Sequence, residues 1–507
     1  MTRGLTTVIF AGALALAAPP ARGAEGAPAP KAGAGQASGK ARAPVCRPGL
    51  AVKDLPVRPE AAWYGLYVGD KKVGWLSARS AIETRDGRKV RVFRQEMLVE
   101  ATVGSRKVQR KAVEERVYEE GGKGRLLAVD TAFTGDGGNR SLRLACGATT
   151  CKATVTAADG TRTTEIPHPG ETSEQAEAAR LAAARCQPVS GPQIQADDLR
   201  VKRMTDRYAG RTTVGGGGVE VPVAVVEELE EGDRAAQRIL VADDGRTLET
   251  RVGDGMVVKL ETEELARRLD AIDLFSTLRV ALPAPLPRDV PMSITYVLRG
   301  VPRGFDLDDP RQKAVTGKDG VTVLTVTARE PKVKDVPRGP PLERGDEDQA
   351  ATLDVDWTHP RIRALADATV GGTSGTWAAA RKLSREVYQR LEKVYGQSRD
   401  RASEILEQGK GDCTEHTRLF VALSRAAGIR AREVKGLVYA NYGEGGPGLY
   451  WHAWAEVKVG DEWIPVDPTF GQDVADATHV ALGRGSRQDA IALVGALKVD
   501  RVESRKP

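Results

Sequence analysis

The sequence predicts an α+β protein: a large, mainly antiparallel β region with a few helices, followed by a smaller unit of helices packed on an antiparallel sheet. Three observations carry this. From residue 63 to about 330, short runs rich in Val, Thr and aromatic residues alternate with Gly-rich turns, the pattern of hairpin-connected strands. Residues 332–348 then hold three prolines and many charges with few apolar positions, which marks a connector. Beyond it the apolar period changes: Trp377, Leu383, Val387, Leu391 and Val394 recur at helical spacing, and 450–459 alternates as a strand.

At 507 residues the chain is longer than one hydrophobic core organises, so two or three folded units are expected. Hydrophobic residues make up 41% and charged residues 28%, with a net charge of +6 and both signs interspersed. That composition describes a globular chain without the clustered basic face of a nucleic-acid binder. Residues 1–23 read as a secretory signal: Arg3 is basic, 8–18 is small and apolar throughout, and Ala21 and Gly23 suit a signal peptidase. Residues 24–50, mostly Ala, Gly, Pro and Lys, read as a tether. No later segment has the length and apolarity to span a bilayer. The expectation is an exported protein, periplasmic or secreted, with no integral membrane segment once the signal is removed.

Five cysteines in an oxidising compartment leave one over when the rest pair. Cys146 and Cys151 flank Gly147-Ala148-Thr149-Thr150 in a hairpin-like stretch and can staple its two strands. Cys46 and Cys186 then remain as a candidate pair, although sequence alone does not set that connectivity. Cys413 is left as a free thiol.

The β region, taken as 51–330 and divisible into two subdomains, opens with strands on either side of Gly69-Asp70, and 89–103 and 108–118 continue it. Two helices are expected to interrupt it. One follows the capping-box spacing Thr172-Ser173-Glu174-Gln175 and runs through alanines toward Cys186. The other follows Thr262, with Leu265, Leu269 and Ile272 on one face. Gly215-Gly216-Gly217-Gly218 reads as a turn, since no lysine or helix start follows to make a phosphate cradle. His168, between two prolines, reads as structural, as do His359 and His479.

After the linker, taken as 331–350, a domain is expected over 351–475, with 476–507 as a C-terminal extension. Within it Gly411-Asp412 leads into a helix over 413–427, with Leu419, Phe420 and Leu423 apolar and Gly428 closing its end. Cys413 thus stands at a helix N-terminus, where free backbone N–H groups favour a thiolate and can hold an oxyanion. Further on, His452, Trp454 and Glu456 share one face of the 450–459 strand, and the chain returns through Gly460-Asp461 to end a second strand at Asp467. A histidine and an aspartate on paired strands can hydrogen-bond, the carboxylate orienting the ring toward a thiol. Trp454 is a candidate wall of the substrate cleft.

Gly411-Asp412-Cys413-Thr414-Glu415, Leu423-Ser424-Arg425-Ala426-Ala427-Gly428-Ile429-Arg430-Ala431, His452-Ala453-Trp454-Ala455-Glu456-Val457 and Trp463-Ile464-Pro465-Val466-Asp467-Pro468-Thr469 together resemble the transglutaminase-like superfamily over residues 352–475. The resemblance implies a papain-like core in which the cysteine helix packs on an antiparallel sheet. It also implies a nucleophile at Cys413, a general base and acid at His452 and an orienting carboxylate at Asp467. The implied reaction is attack on an amide carbonyl through a thioester, with a protein or peptide substrate, cell-envelope peptides among the candidates. Hydrolysis is favoured over transfer to an amine by analogy with peptidase-like members. No cofactor or metal is expected: Cys413, His416 and His452 lack a fourth zinc ligand, and no loop has the spaced acidic ligands of a calcium site. The competing reading is a non-catalytic binding module on the same fold.

Overall fold

The computed structural model describes residues 46–505 apart from 104–105, 137, 159, 197–198, 217–218, 233–235, 254, 274–276, 288–290, 303–304, 330, 332–334, 340–348, 395–398, 400, 443–445 and 486–492. The expected signal, nearly all of the tether, half of the Gly215-Gly218 turn and most of the linker lie outside the described residues.

The β region is one antiparallel sheet made of two meanders. The first runs β1 (Ala62–Val68), β2 (Lys71–Arg85), β3 (Arg88–Val103), β4 (Arg106–Glu119), β5 (Leu126–Gly135), β6 (Arg140–Cys146), β7 (Thr150–Ala157) and β8 (Gly160–Pro167). The second runs β9 (Val189–Ile194), β10 (Val201–Gly216), β11 (Val219–Glu230), β12 (Gln237–Ala242), β13 (Thr247–Val252) and β14 (Met256–Glu261), and the two join where β1 pairs with β14. Cys146 and Cys151 face each other across the β6–β7 hairpin and are bonded; Cys46 is bonded to Cys186; Cys413 is free.

A buried ion cluster ties β4 of the first meander to β9 at the far edge of the second. Arg116 on β4 donates to Glu114, to both oxygens of Glu171 (2.7 and 2.9 Å) and to the Ile194 carbonyl on β9. Tyr118 and the Ile194 amide also donate to Glu171, whose side chain is fully buried. Burial alone would lower the Arg116 pKa, but the carboxylates of Glu114 and Glu171 outweigh it and hold the guanidinium charged.

The two helices expected in this region form only in part. The alanine run is broken at Glu177 into α1 (Ser173–Ala176) and α2 (Ala178–Arg185). Thr172 makes no side-chain capping hydrogen bond: the Gln175 amide donates instead to the Thr172 carbonyl at 2.9 Å, and the Gln175 side chain, which would complete the box, lies against Gly191 of β9. The second helix, α3 (Glu263–Ala266), is a single turn capped by Thr262. It stops there because buried Lys72 takes the Leu265 carbonyl at 2.6 Å and Arg267 stacks on Trp63 and Trp75. Leu265 is left exposed rather than on an apolar face.

The rest of the described chain builds a five-stranded and a four-stranded sheet, a two-stranded parallel pair and a helical layer. Strand β15 (Val280–Ala281) belongs to the five-stranded site sheet, described below. Strands β16 (Ser293–Arg299), β17 (Gln312–Thr316) and β18 (Thr322–Thr327) belong to the four-stranded one. Then come α4 (Pro360–Val370), α5 (Thr376–Arg390), the short β19 (Glu392–Lys393), α6 (Ala402–Gln408), β20 (Lys410–Gly411) and α7 (Cys413–Ala426). Four more strands follow: β21 (Ala431–Tyr442), β22 (Gly446–Val459), β23 (Glu462–Val466) and β24 (His479–Arg484). Residues 476–507, read as an extension, supply β24 to the site sheet and, as β25 (Lys498–Arg505), an edge to β16.

Two cores meet at the site sheet. One gathers Leu419, Phe420 and Leu423 of α7 with Ile362, Leu383, Val387 and Ile405 of the other helices and Ala455 and Val457 of β22. The other joins Tyr450, Trp451, Leu437 and Val480 of the site sheet to Leu66, Leu76 and Met97 of the β region and Tyr296 of β16. The site sheet is therefore packed against the helices through one core and against the N-terminal sheet through the other.

Truncating Glu171 to alanine strands Arg116 in the interior and should cost about 3–5 kcal/mol in a denaturant titration; a loss below 1 kcal/mol would contradict the cluster's role. Under denaturing, non-reducing conditions one thiol should titrate, that of Cys413, and five only after reduction.

Candidate active site

Helix α7 begins where its sequence says it should. Asp412 is the N-cap: its side chain accepts from the Thr414 amide at 2.9 Å, and Glu415 reaches back to the Asp412 amide at 2.7 Å, closing a capping box. Gly411 allows this closeness, since a Cβ there would lie 2.2 Å from the Glu415 Cβ. The cap fixes Cys413 as the first helical residue, 2% exposed.

Strand β22 supplies the second group. Its one edge pairs with β21 throughout; its other edge pairs with β15 at Gly448–Leu449 and with β23 only from Ala455 onward. The gap between them is where α7 delivers Cys413, and the Ala453 amide donates to its Sγ. The nucleophile candidate thus lies against the residue that follows His452.

Asp467 reaches the same point from the end of β23. The segment 467–478 must pass over β22 and β21 to enter β24, which lies beyond β21. Asp467 is fully buried on this crossing, with His452 Nε2 at 2.7 Å from its Oδ2. Its Oδ1 accepts from the amides of Thr469 (2.7 Å) and Phe470 (3.0 Å). Burial would raise this carboxyl, but His452 and His479 outweigh it and hold it well below the ordinary carboxylate range.

His479, read from sequence as structural, is part of this site. Its Nε2 lies 3.0 Å from the same Oδ2 of Asp467, and its Nδ1 lies 3.2 Å from Asp476. No local motif could have revealed this, because the contact depends on the crossing of 467–478. Its one local hint is its place at the start of the apolar run Val480-Ala481-Leu482.

Trp454 is displaced from the role expected of it. It is 1% exposed, packs with Val434, Ala475 and Ala481, and meets His479 edge-on at 5.1 Å. It lies over Gly436, where a Cβ would sit 2.6 Å from its ring. Trp454 therefore supports the site from within. The aromatic that faces solvent is Phe470, 38% exposed and stacked on His452 at 4.7 Å with ring planes 10° apart.

The charge state of Cys413 also differs from the thiolate expected at a helix start. Burial and the adjacent Asp412, with lesser help from Glu415 and Asp467, push its thiol well above the usual range; the Ala453 hydrogen bond opposes them and loses. Asp412 is itself pushed up by burial and by Glu415. His416, buried, is lowered to about 4 and turns its Nδ1 to the Asp412 carbonyl at 2.7 Å, away from any joint role with His452.

Residues 363–468 match the family model of the transglutaminase-like superfamily. This stretch is a transglutaminase-like domain. The match takes in Cys413, His452 and Asp467 and ends before His479. No curated protein matches the chain. Three crystal structures are similar to parts of it. A candidate cysteine protease from Cytophaga hutchinsonii is 17% identical, covering 43% of this chain and 84% of its own, with a TM-score of 0.28. A β-barrel-like protein from Brucella abortus, of a domain of unknown function, is 14% identical over 41% of this chain and 97% of its own, with a TM-score of 0.29. A candidate protease from Parabacteroides distasonis is 14% identical over 65% of this chain and 64% of its own, with a TM-score of 0.19.

Two clusters in the described residues have metal-ligand geometry. In Cys146, Cys151 and His168 the sulfurs are held in a disulfide. In His452, Asp467 and His479 both rings already hydrogen-bond the Asp467 carboxylate, so a cation would have to break those contacts.

With a protonated resting thiol, alkylation of Cys413 by iodoacetamide should be slow at pH 7 and rise about tenfold per pH unit toward pH 9. The sign follows from the upward shift: raising the pH populates a thiolate that the fold disfavours. A rate independent of pH between 5 and 8 would instead mean a preformed thiolate–imidazolium pair.

Proposed function

We propose that the transglutaminase-like domain is a cysteine acyl-transfer enzyme with Cys413 as nucleophile, His452 as general base and acid and Asp467 as orienting carboxylate, on a papain-like core. The observation that supports this most is the 2.7 Å contact between His452 Nε2 and Asp467, made beside the amide that holds the Cys413 thiol. Because Nε2 is committed to Asp467, Nδ1 is the nitrogen left for the thiol.

The reaction follows from these groups. His452 Nδ1 takes the Cys413 proton as Sγ attacks an amide carbonyl carbon, and the carbonyl π electrons move onto oxygen. The Thr414 and Glu415 amides are engaged by Asp412, so among the first helical residues Cys413's own N–H is left to meet that oxyanion. Collapse expels the amine, which takes its proton from His452, and leaves a thioester on Cys413. Water activated by His452 then releases a carboxylic acid. We favour hydrolysis of protein or peptide amides, with cell-envelope peptides as candidate substrates. Export accords with two disulfides and with the absence, among the described residues, of a helix long and apolar enough to cross a membrane.

A glutamine-containing peptide incubated with the protein, with and without a primary amine, should show cleavage or deamidation by mass spectrometry and no amine adduct. Cys413→Ala should reduce the rate on the order of 10³-fold or more. An amine adduct as the main product would assign cross-linking instead, and equal turnover by Cys413→Ala would refute the nucleophile.

A further inference from the structure

We propose that His479 is a positioning residue held as an imidazolium between Asp467 and Asp476, where it fixes the Asp467 carboxylate that orients His452. The inference rests on the acyl-transfer reading above and extends it to a group beyond the matched motif.

The geometry sets the protonation state. A neutral imidazole has one N–H and one lone pair, so it can donate to only one of two acceptors. His479 faces carboxylate oxygens with both nitrogens: Asp467 Oδ2 at 3.0 Å from Nε2 and Asp476 Oδ1 at 3.2 Å from Nδ1. The Thr478 hydroxyl, 3.4 Å from Nδ1, donates its own proton to Asp476 and so offers Nδ1 none. The side chain is fully buried, which removes water as an alternative partner. Both nitrogens must therefore carry protons. Burial lowers the His479 pKa, yet the two carboxylates raise it overall, and Asp476 is held below its ordinary range by the same contact.

The other groups around His479 are His452 on β22, the Trp454 and Phe470 rings, and, behind Asp476, Arg311 and Tyr296. Arg311 donates to the carbonyls of Ala475 and Asp476 (2.7 and 2.8 Å), bracing the backbone that presents the Asp476 carboxylate.

The consequence falls on His452. Its ring centroid is 5.7 Å from that of His479, and both rings share one oxygen of Asp467. With its Oδ2 held by both rings and its Oδ1 by two backbone amides, the carboxylate cannot turn away, so the hydrogen bond that sets the His452 ring keeps one direction.

Two measurements decide this. In ¹⁵N-labelled full-length protein at pH 7.5, long-range ¹H–¹⁵N spectra should show His479 with both ring nitrogens protonated; a neutral tautomer would overturn the proposal. In Asp476→Asn the same spectra should show a neutral His479 protonated on Nε2, and acylation of Cys413 by an activated peptide ester should fall on the order of tenfold in His479→Phe, which offers Asp467 no donor, but keep most of its rate in His479→Gln, which can still donate. An equal loss in the Gln and Phe variants would mean that His479 only packs. If a His479 variant fails to fold, the spectrum and Asp476→Asn still decide. Neither readout needs turnover, so a protein that shows both effects yet processes no amide would refute the acyl-transfer reading and leave the protonation state of His479 standing.

Discussion

The Asp467 carboxylate accepts hydrogen bonds from His452, His479 and the amides of Thr469 and Phe470, and it has no exposure to water. A buried carboxylate with fewer donors would protonate and lose its hold on the rings. With four, it stays charged and cannot rotate. Everything at the site is arranged around that fixed anion: β22 brings one ring, β24 brings the other, and the crossing from β23 brings the anion between them. Cys413 then needs only to be set into the open edge of β22, which the capped start of α7 accomplishes.

That arrangement depends on parts of the chain far from the motif. The site sheet packs against the helices through one apolar core and against the N-terminal sheet through another that includes Tyr450, Trp451 and Val480. Polar contacts reinforce the link. The Gln312 amide on β17 bonds both the amide and the carbonyl of Ala481 on β24 (2.5 and 3.0 Å), and Arg140 on β6 bonds Asp354 ahead of α4 (2.6 Å). Residues on either side of the matched 363–468 stretch therefore share in holding its geometry.

What was legible in the sequence was what is local. The start of the Cys413 helix after Gly411-Asp412, the alternation through His452 and Trp454, and the hairpin that ends at Asp467 are all set by neighbours within a few residues. The cysteine hairpin was legible for the same reason. His479 was not, since its partner is chosen by a chain crossing that no periodicity records. The thiolate expectation for Cys413 failed because a helix terminus acts at short range and modestly, whereas full burial beside Asp412 acts against the charge itself. Trp454 has the right face of its strand for a cleft wall, but Gly436 lets its ring lie down over β21. The helix after Thr262 ended early because Lys72 and the Trp63–Trp75 pair, both distant in sequence from it, claim its carbonyl and its arginine.

The central claim is that Asp467, by orienting His452, makes Cys413 reactive toward an acyl group. Intact-protein mass spectrometry can follow acylation of Cys413 by an activated peptide ester in the native protein and in Asp467→Asn, which keeps the shape of the side chain and removes its charge. The account predicts a thioester adduct on Cys413 in the native protein and a rate lower by on the order of 10³-fold or more in the variant. Equal acylation rates in two folded proteins would contradict it.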